Sequence, residues 1–342
     1  MKRLLLILLV GFLVLGGWGT ASAKHNKLRV AAALIGPAND ASWNAAAVAG
    51  LKMAQKRYGI EFTFVESVKL ADLEGVYRDF AAKGYGLIIG HAFNFGDAAL
   101  KAAKDYPKAK FAITASSASN GTNVAGFDFR QQETAFVAGV LAGLMTKSNR
   151  LGAIGGFGFP AIIRQVEGFR LGARYANPKI RMFHTYINSW VDVGKAKETA
   201  LGQLDLGADI VFTALDEAGH GAIKAAEEKG KFAIPSYSPQ HQLAPKTVLT
   251  SVLHGVPFVI LNMVKEVHDG TFQGKVYKLG FQRGVGGLPP WHPEAKANIP
   301  QGIRDRVDRV SAAIKSGKLV IPEIVKDGGA KKYDVSKLPV IK

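Results

Sequence analysis

Aromatic and polar side chains that could bind a flat ligand follow the ends of several predicted strands. In chain order these residues are Trp43, Asn44, Phe93, Asp128 and Phe159. An indole or phenyl ring can stack on a planar ring, and an amide or carboxylate can hydrogen-bond to its polar edge. These residue types at strand ends are suited to binding a small flat molecule with a polar edge.

Three of these positions also have a purely structural interpretation. Trp43 could pack in the core of the helix that it begins. Phe93 competes with its neighbour Phe95, since either ring could fill the core of the domain. Asp128 could instead cap the helix that begins near Gln131.

The patterns that would indicate a catalytic or metal centre do not occur in the sequence. Its eight histidines form no HExxH or HxH pair, there is no cysteine, and there is no GxSxG turn. The segment GGFGF at 155–159 does not complete a GxGxxG dinucleotide motif, and the acid expected at the following strand is missing. We therefore expect no catalytic residue, no metal ligand and no cofactor. The alternative from another class is a secreted nucleosidase or other hydrolase that uses Asp216, Glu217 and His220.

Strand and helix patterns alternate along the chain, which predicts an α/β protein with two doubly wound parallel-sheet lobes. Predicted strands lie at 28–35, 61–65, 87–89, 110–114, 124–127, 151–155, 181–186, 210–213, 232–234 and 247–251. Predicted helices lie at 40–58, 70–83, 95–106, 161–176, 193–206, 219–229, 256–269 and 301–316, with a further helix beginning near 131. The pattern starts again at Leu151, so the chain is predicted to form a second lobe of the same architecture.

Residues 1–23 have the pattern of a secretory signal peptide. A positive start is followed by an apolar run at 4–15 and by the small residues Ala-Ser-Ala at 21–23. An uncleaved anchor helix is the alternative. Without a cysteine the chain cannot carry an N-terminal lipid on a thiol, so we predict cleavage after Ala23 and a periplasmic location.

The chain is strongly basic, with 44 Lys and Arg against 27 Asp and Glu and a net charge of +17. The basic residues are spread along helix faces, with only a modest concentration near the end of the chain. A nucleic-acid surface would cluster them and interleave aromatic residues. We therefore expect no nucleic-acid partner, and a solvated cationic surface with weak attraction to anionic membranes as a secondary possibility.

Several longer segments resemble the basic membrane protein family, the purine-nucleoside-binding branch of type I periplasmic binding proteins. The resemblance rests on the text and order of DASWN at 40–44, GHAFNFGDA at 90–98, DYPKAKFA at 105–112, AFVAGVLAGLMTK at 135–147, IGGFGFPAIIRQVEGFRLGARYANP at 154–178 and GQLDLGADIVF at 202–212. These segments span most of the chain after the signal peptide. The most specific part is the run from GVLAGLMTK at 139–147 to GGFGFP at 155–160, in this order.

The resemblance implies a clamshell that buries a small molecule between its lobes and delivers it to an ABC permease. Lobe one would comprise 27–128 and 252–278, and lobe two 129–251 and 279–342, joined by a multi-strand hinge in a monomer. It also implies that Trp190 is a second aromatic ligand contact, so that Trp43 and Trp190 could sandwich a flat base from opposite lobes. A receptor that signals through a membrane protein would have the same fold and remains an alternative.

Three positions depart from the family pattern, and all three concern recognition of a ribose. Tyr237 stands where the family commonly has an aspartate that contacts ribose, His254 stands in place of a lysine, and Asp216 lies in a segment that is usually glycine-rich. We interpret this as a site for a purine base or another planar heterocycle without an ordinary ribose. Asp216, Tyr237 and either His254 or His241 would supply the replacement polar contacts.

Overall fold

The computed structural model describes residues 27–341, which contain ten strands and ten α-helices. The predicted signal peptide lies outside the described residues. The strands are β1 Arg29–Leu34, β2 Glu61–Val65, β3 Leu87–His91, β4 Lys110–Thr114, β5 Val124–Phe129, β6 Arg150–Gly155, β7 Arg181–Tyr186, β8 Ile210–Ala214, β9 Phe232–Ile234 and β10 Val276–Leu279. The helices are α1 Trp43–Tyr58, α2 Leu73–Ala82, α3 Gly96–Ala102, α4 Gln131–Met145, α5 Pro160–Ala176, α6 Val193–Asp205, α7 Gly219–Glu228, α8 Val256–His268, α9 Pro293–Asn298 and α10 Gln301–Lys315. Among these residues no helix combines the length and the apolar character needed to cross a bilayer.

The strands form two separate parallel sheets, which confirms the predicted fold class. The first has the order β10-β5-β4-β3-β1-β2 and the second the order β7-β6-β8-β9. Every strand pair within them is parallel. The central strands β3 and β5 are buried along their whole length, as expected for a parallel sheet that is covered by helices on both faces.

The predicted strand at 247–251 is wrong as a full strand. The segment makes only an isolated parallel bridge, between Val248 and Ala233 of β9. β9 is three residues long and is followed by Pro235, which has no N–H to continue the ladder. The second sheet therefore has four strands instead of the five that the sequence predicts.

The chain passes between the two sheets three times. It leaves the first sheet after β5, returns to it through the segment before α8, and leaves it again after β10. Backbone hydrogen bonds tie the connecting segments together, from the Tyr237 N–H to the Val252 carbonyl at 2.7 Å and from the Leu253 N–H to the Gly287 carbonyl at 2.9 Å. These connections place the carboxyl ends of the strands of both sheets against one shared cleft, the usual ligand position in open α/β sheets.

Helices α4 and α5 pack so closely that their glycines are required. A Cβ atom on Gly139 would lie 2.1 Å from the Phe169 carbonyl oxygen, and one on Gly172 would lie 2.0 Å from the Phe136 carbonyl oxygen. This close packing fixes α5, and the start of α5 contributes side chains to the cleft.

We predict that Gly139→Ala lowers the free energy of unfolding by about 3 kcal/mol, because its methyl group meets backbone that cannot move aside. Gly202→Ala is the control. A Cβ at Gly202, on the exposed face of α6, meets nothing within 4 Å, so this change should stabilise the protein by about 0.5 to 1 kcal/mol. Denaturant unfolding of both variants measures the difference, and equal effects would contradict the packing argument.

Candidate ligand-binding cleft

A cavity with an empty volume of about 490 Å³ lies between the two lobes. Its walls carry side chains from both sheets and are mostly aromatic and aliphatic. The lining residues are Ile35, Trp43, Ala92, Phe93, Asn94, Ala115, Gln131, Phe159, Ala161, Ile162, Trp190, Asp216 and Tyr237. The combination of apolar walls with a few polar groups is typical of small-molecule sites.

Trp43 lines this cavity but is held firmly in lobe one. Its ring stacks on the imidazole of His91 at a centroid distance of 4.2 Å, and its indole N–H donates to the His91 carbonyl at 3.2 Å. The His91 ring bonds in turn to the Trp43 carbonyl at 3.0 Å and to the Thr114 hydroxyl at 3.1 Å. Burial lowers the pKa of His91 to about 4, so the ring is neutral and Nε2 donates to the carbonyl. With 7 % of its surface exposed, Trp43 forms a rigid wall of the cavity.

Trp190 lines the same cavity from lobe two. Its six-membered ring lies on Gly156, where a Cβ atom would come within 2.2 Å of two ring carbons. The indole also contacts Phe157, at a centroid distance of 5.1 Å. The two tryptophans therefore border one cavity, but each already has one ring face covered by protein.

The aromatic rings that meet across the cleft are Phe93 and Phe159. Their centroids are 5.7 Å apart and their planes differ by 26°. Phe95, the competing ring, is completely buried in the core of lobe one. The structure thus assigns Phe93 to the cavity and Phe95 to the core, a choice that the sequence leaves open.

Asp216 is the acidic residue of the cavity wall, and among residues 27–341 its carboxylate has no hydrogen-bond or ion-pair partner. Its side chain is buried, with 6 % of the residue exposed. Burial raises the pKa of Asp216 well above its usual range, and the nearby negative charge of Asp40 adds to this. Asp40, by contrast, accepts four hydrogen bonds, from the backbone N–H groups of 42, 44 and 45 and from the Asn44 side chain. A neutral Asp216 carboxyl offers one donor and one acceptor to a ligand.

Tyr237 forms the cavity wall beside Trp43, with an edge-to-face contact at a centroid distance of 5.2 Å. Its backbone has φ of 78°, in the left-handed region that an aromatic residue rarely adopts and that costs on the order of 1–3 kcal/mol. Its hydroxyl accepts a hydrogen bond from the buried side chain of Gln165 at 3.2 Å. Burial raises the pKa of Tyr237 above its usual value, so the phenol is neutral and keeps its proton.

The other three predicted contacts lie outside this cavity. Asn44 lines an adjoining polar cavity that shares Ile35, Trp190 and Asp216 with the first, and its amide nitrogen donates to Asp40. Asp128 receives two hydrogen bonds from Arg164, at 2.6 and 2.9 Å.

His254 is buried behind Tyr237, where its Nε2 contacts the amide oxygen of Gln165 at 2.9 Å. Neither Asp128 nor His254 lines the cavity, and protein groups already bind the Asp128 carboxylate and the His254 Nε2. His241 stacks on His292 at a centroid distance of 4.7 Å and is not part of the cavity wall.

Two polar residues of the cavity wall were not predicted from the sequence. Gln131 begins α4 directly after the crossover from β5, and its side-chain oxygen is buried without a partner. Asn94 lies beside Phe93. The signal for Gln131 was available, because a polar residue at the start of a helix after a strand end points toward the same edge as the other candidates.

A second cluster, formed by Glu167, His184 and Asp327, has donor atoms within 4.8 Å of one another. The guanidinium of Arg170 contacts Glu167 at 3.3 Å and the His184 Nδ1 at 3.1 Å, and His184 Nε2 contacts Asp327 at 2.8 Å. Glu167 also accepts from the backbone N–H groups of 328 and 330. The cluster is thus a hydrogen-bonded network that fastens residues 326–334 to lobe two.

Two parallel-sheet lobes around a buried, aromatic-walled cavity define a two-lobed solute-binding protein. The family model described as ABC transporter substrate-binding protein PnrA-like matches residues 27–324. The chain belongs to this family, the Bmp family, which confirms the resemblance seen in the sequence. Membership implies a small-molecule ligand, a permease partner and a location outside the cytoplasm.

Relatives and solved structures agree with this assignment. The chain is 31 % identical to a purine-binding protein of Brucella abortus, over 88 % of this chain and 85 % of that protein. It is 27 % identical to the nucleoside-binding protein BmpA of an ABC transporter in Lactococcus lactis, over 83 % and 86 %. Among solved structures, a solute-binding protein of an ABC transporter system from Aeropyrum pernix K1 matches with a TM-score of 0.79 at 22 % identity, over 89 % of this chain and 95 % of that one.

Proposed function

We propose that this protein is the periplasmic receptor of an ABC importer and that it binds a free purine base or a similar planar heterocycle between its lobes. The permease would accept the ligand from the closed form, as is usual for clamshell receptors. The mature receptor would be a monomer.

The observation that carries the proposal is the combination of flat walls with one unpaired buried carboxyl. Trp43, Trp190 and the facing pair Phe93 and Phe159 leave a space bounded by rings. Base stacking on aromatic side chains is worth about 1–3 kcal/mol per base in other proteins. Asp216 lines the cavity without a hydrogen-bond partner in the described structure, so its carboxyl can hydrogen-bond to a bound ligand.

The protonation state of the Asp216 carboxyl favours a free base over a nucleoside as the ligand. Two sugar hydroxyls are best recognised by an ionised carboxylate that accepts from both. The raised pKa of Asp216 instead favours a neutral carboxyl, whose donor and acceptor fit the alternating edge of a purine. The relative named as purine-binding supports this choice, and the relative named as nucleoside-binding supports the competing one.

Titration calorimetry of the mature protein with adenine, guanine, xanthine, adenosine and guanosine tests the proposal. We expect at least one base to bind more tightly than its nucleoside. Tight nucleoside binding without base binding would refute the choice of ligand, and no binding of any of the five would refute the purine class. Release of free base from a nucleoside during incubation would instead favour the hydrolase alternative.

A further inference from the structure

A buried hydrogen-bond chain leads from the cavity wall to the segment that connects the lobes. It comprises Tyr237 in the wall, Gln165 on α5 and His254, two residues before α8. Gln165 is fully buried and His254 is 1 % exposed. Gln165 joins the other two, with 3.2 Å to the Tyr237 hydroxyl and 2.9 Å to the His254 Nε2.

The surroundings of Gln165 set the direction of each bond. Its amide nitrogen lies 3.5 Å from the Ala161 carbonyl, which can only accept, so the nitrogen faces Ala161 and Tyr237. The amide oxygen therefore faces His254, and the His254 Nε2 must carry a proton and donate. Burial lowers the pKa of His254 to about 3, so the ring is neutral and its Nδ1, which has no partner in the described structure, is unprotonated.

The directions of these hydrogen bonds determine whether the Tyr237 hydroxyl can donate to a ligand. Its hydroxyl oxygen accepts from Gln165, so its own proton is free to be donated elsewhere. The ring lines the cavity, and its backbone N–H is fixed to the Val252 carbonyl at 2.7 Å. The backbone N–H of Tyr237 is thus held in place, and its hydroxyl proton is not used by Gln165.

We propose that Gln165 is a positioning residue that fixes Tyr237 as a hydrogen-bond donor, so that the cleft selects a heterocycle with an unprotonated ring nitrogen at that point. The inference rests on the proposed function, because it concerns specificity within the same cleft. Gln165 acts through Tyr237 and does not itself line the cavity.

The test compares adenine with 1-deazaadenine, 3-deazaadenine and 7-deazaadenine, in each of which one ring nitrogen is replaced by C–H. In the wild-type protein we expect one of the three to bind about tenfold more weakly than adenine, the usual effect of one hydrogen bond. Tyr237→Phe should remove this difference. Gln165→Glu should also remove it, because a carboxylate accepts from Tyr237 and turns the hydroxyl proton away from the ligand.

The matched control is Gln203→Glu, which places a carboxylate at another buried glutamine of lobe two that donates to the Ala153 carbonyl at 3.0 Å. This variant should lose stability but keep the wild-type preference among the deaza analogues. Gln165→Met serves as a second variant if Gln165→Glu does not fold, and it should reduce the preference because the hydroxyl is no longer oriented.

Two results would overturn the inference while leaving the proposed function intact. One is adenine binding with no penalty for any deaza analogue in the wild-type protein. The other is an unchanged penalty in a folded Gln165 variant. Failure of the wild-type protein to bind any purine would reject the proposed function together with this inference.

Discussion

Replacing Asp128 with asparagine is expected to lower the free energy of unfolding by about 3 kcal/mol, because it leaves a buried guanidinium short of its main counter-charge. Asp128 lies on β5 in the first sheet and Arg164 on α5 beside the second, so the pair joins the two lobes. Their side chains are 12 % and 6 % exposed. Arg164 keeps one contact with Glu323 at 2.8 Å, which is more exposed and cannot replace the bidentate pair.

Denaturant unfolding at neutral pH measures the loss. The double variant Asp128→Leu with Arg164→Met should recover most of it, since apolar residues of similar size remove both charges together. Asp79→Asn, which breaks the exposed pair with Lys83, should change stability very little. A small effect of Asp128→Asn, or a double variant less stable than the single one, would contradict the role assigned to the pair.

The architecture follows from the sequence because it depends on local patterns. Apolar runs that end in glycine or proline predict buried parallel strands, and the amphipathic segments between them predict the covering helices. The strand-end rule also locates Trp43, Phe93 and Phe159 at the cavity. The segment 247–251 fails as a strand because its neighbour β9 is too short to pair with it, and sequence periodicity does not report on a neighbour's length.

The roles of Asp128 and His254 could not be read from the sequence because their partners are distant in the chain. Arg164 lies 36 residues from Asp128, and Gln165 lies 89 residues from His254. A carboxylate at a strand end has the same local sequence whether it faces a ligand or an arginine. The resemblance to a family supplies ligand positions but cannot show which polar atoms the protein already satisfies.

Replacing Asp216 with asparagine is expected to stabilise the ligand-free protein at pH 7 by about 1–3 kcal/mol, because a neutral amide does not have to take up a proton when the protein folds. The pKa of Asp216 is raised by burial and by Asp40, so the folded state holds its proton more tightly than the unfolded state does. Below the pKa of the unfolded state, about 4, Asp216 is protonated in both states and does not lower the stability of the wild-type protein. As the pH rises from there toward the folded pKa, folding must take up a proton and the wild-type protein loses stability. The advantage of the variant should therefore be present at pH 7 and vanish near pH 3.5.

Thermal unfolding of the wild type and of Asp216→Asn at both pH values measures this difference. Asp205→Asn, whose side chain is 64 % exposed, should show no such dependence on pH. Asparagine keeps one donor and one acceptor, so adenine should bind Asp216→Asn within about tenfold of the wild type and Asp216→Leu far more weakly. If Asp216→Asn were less stable than the wild type at pH 7, the carboxylate would have to be ionised and paired, and the case for a neutral carboxyl that hydrogen-bonds to a purine edge would fail.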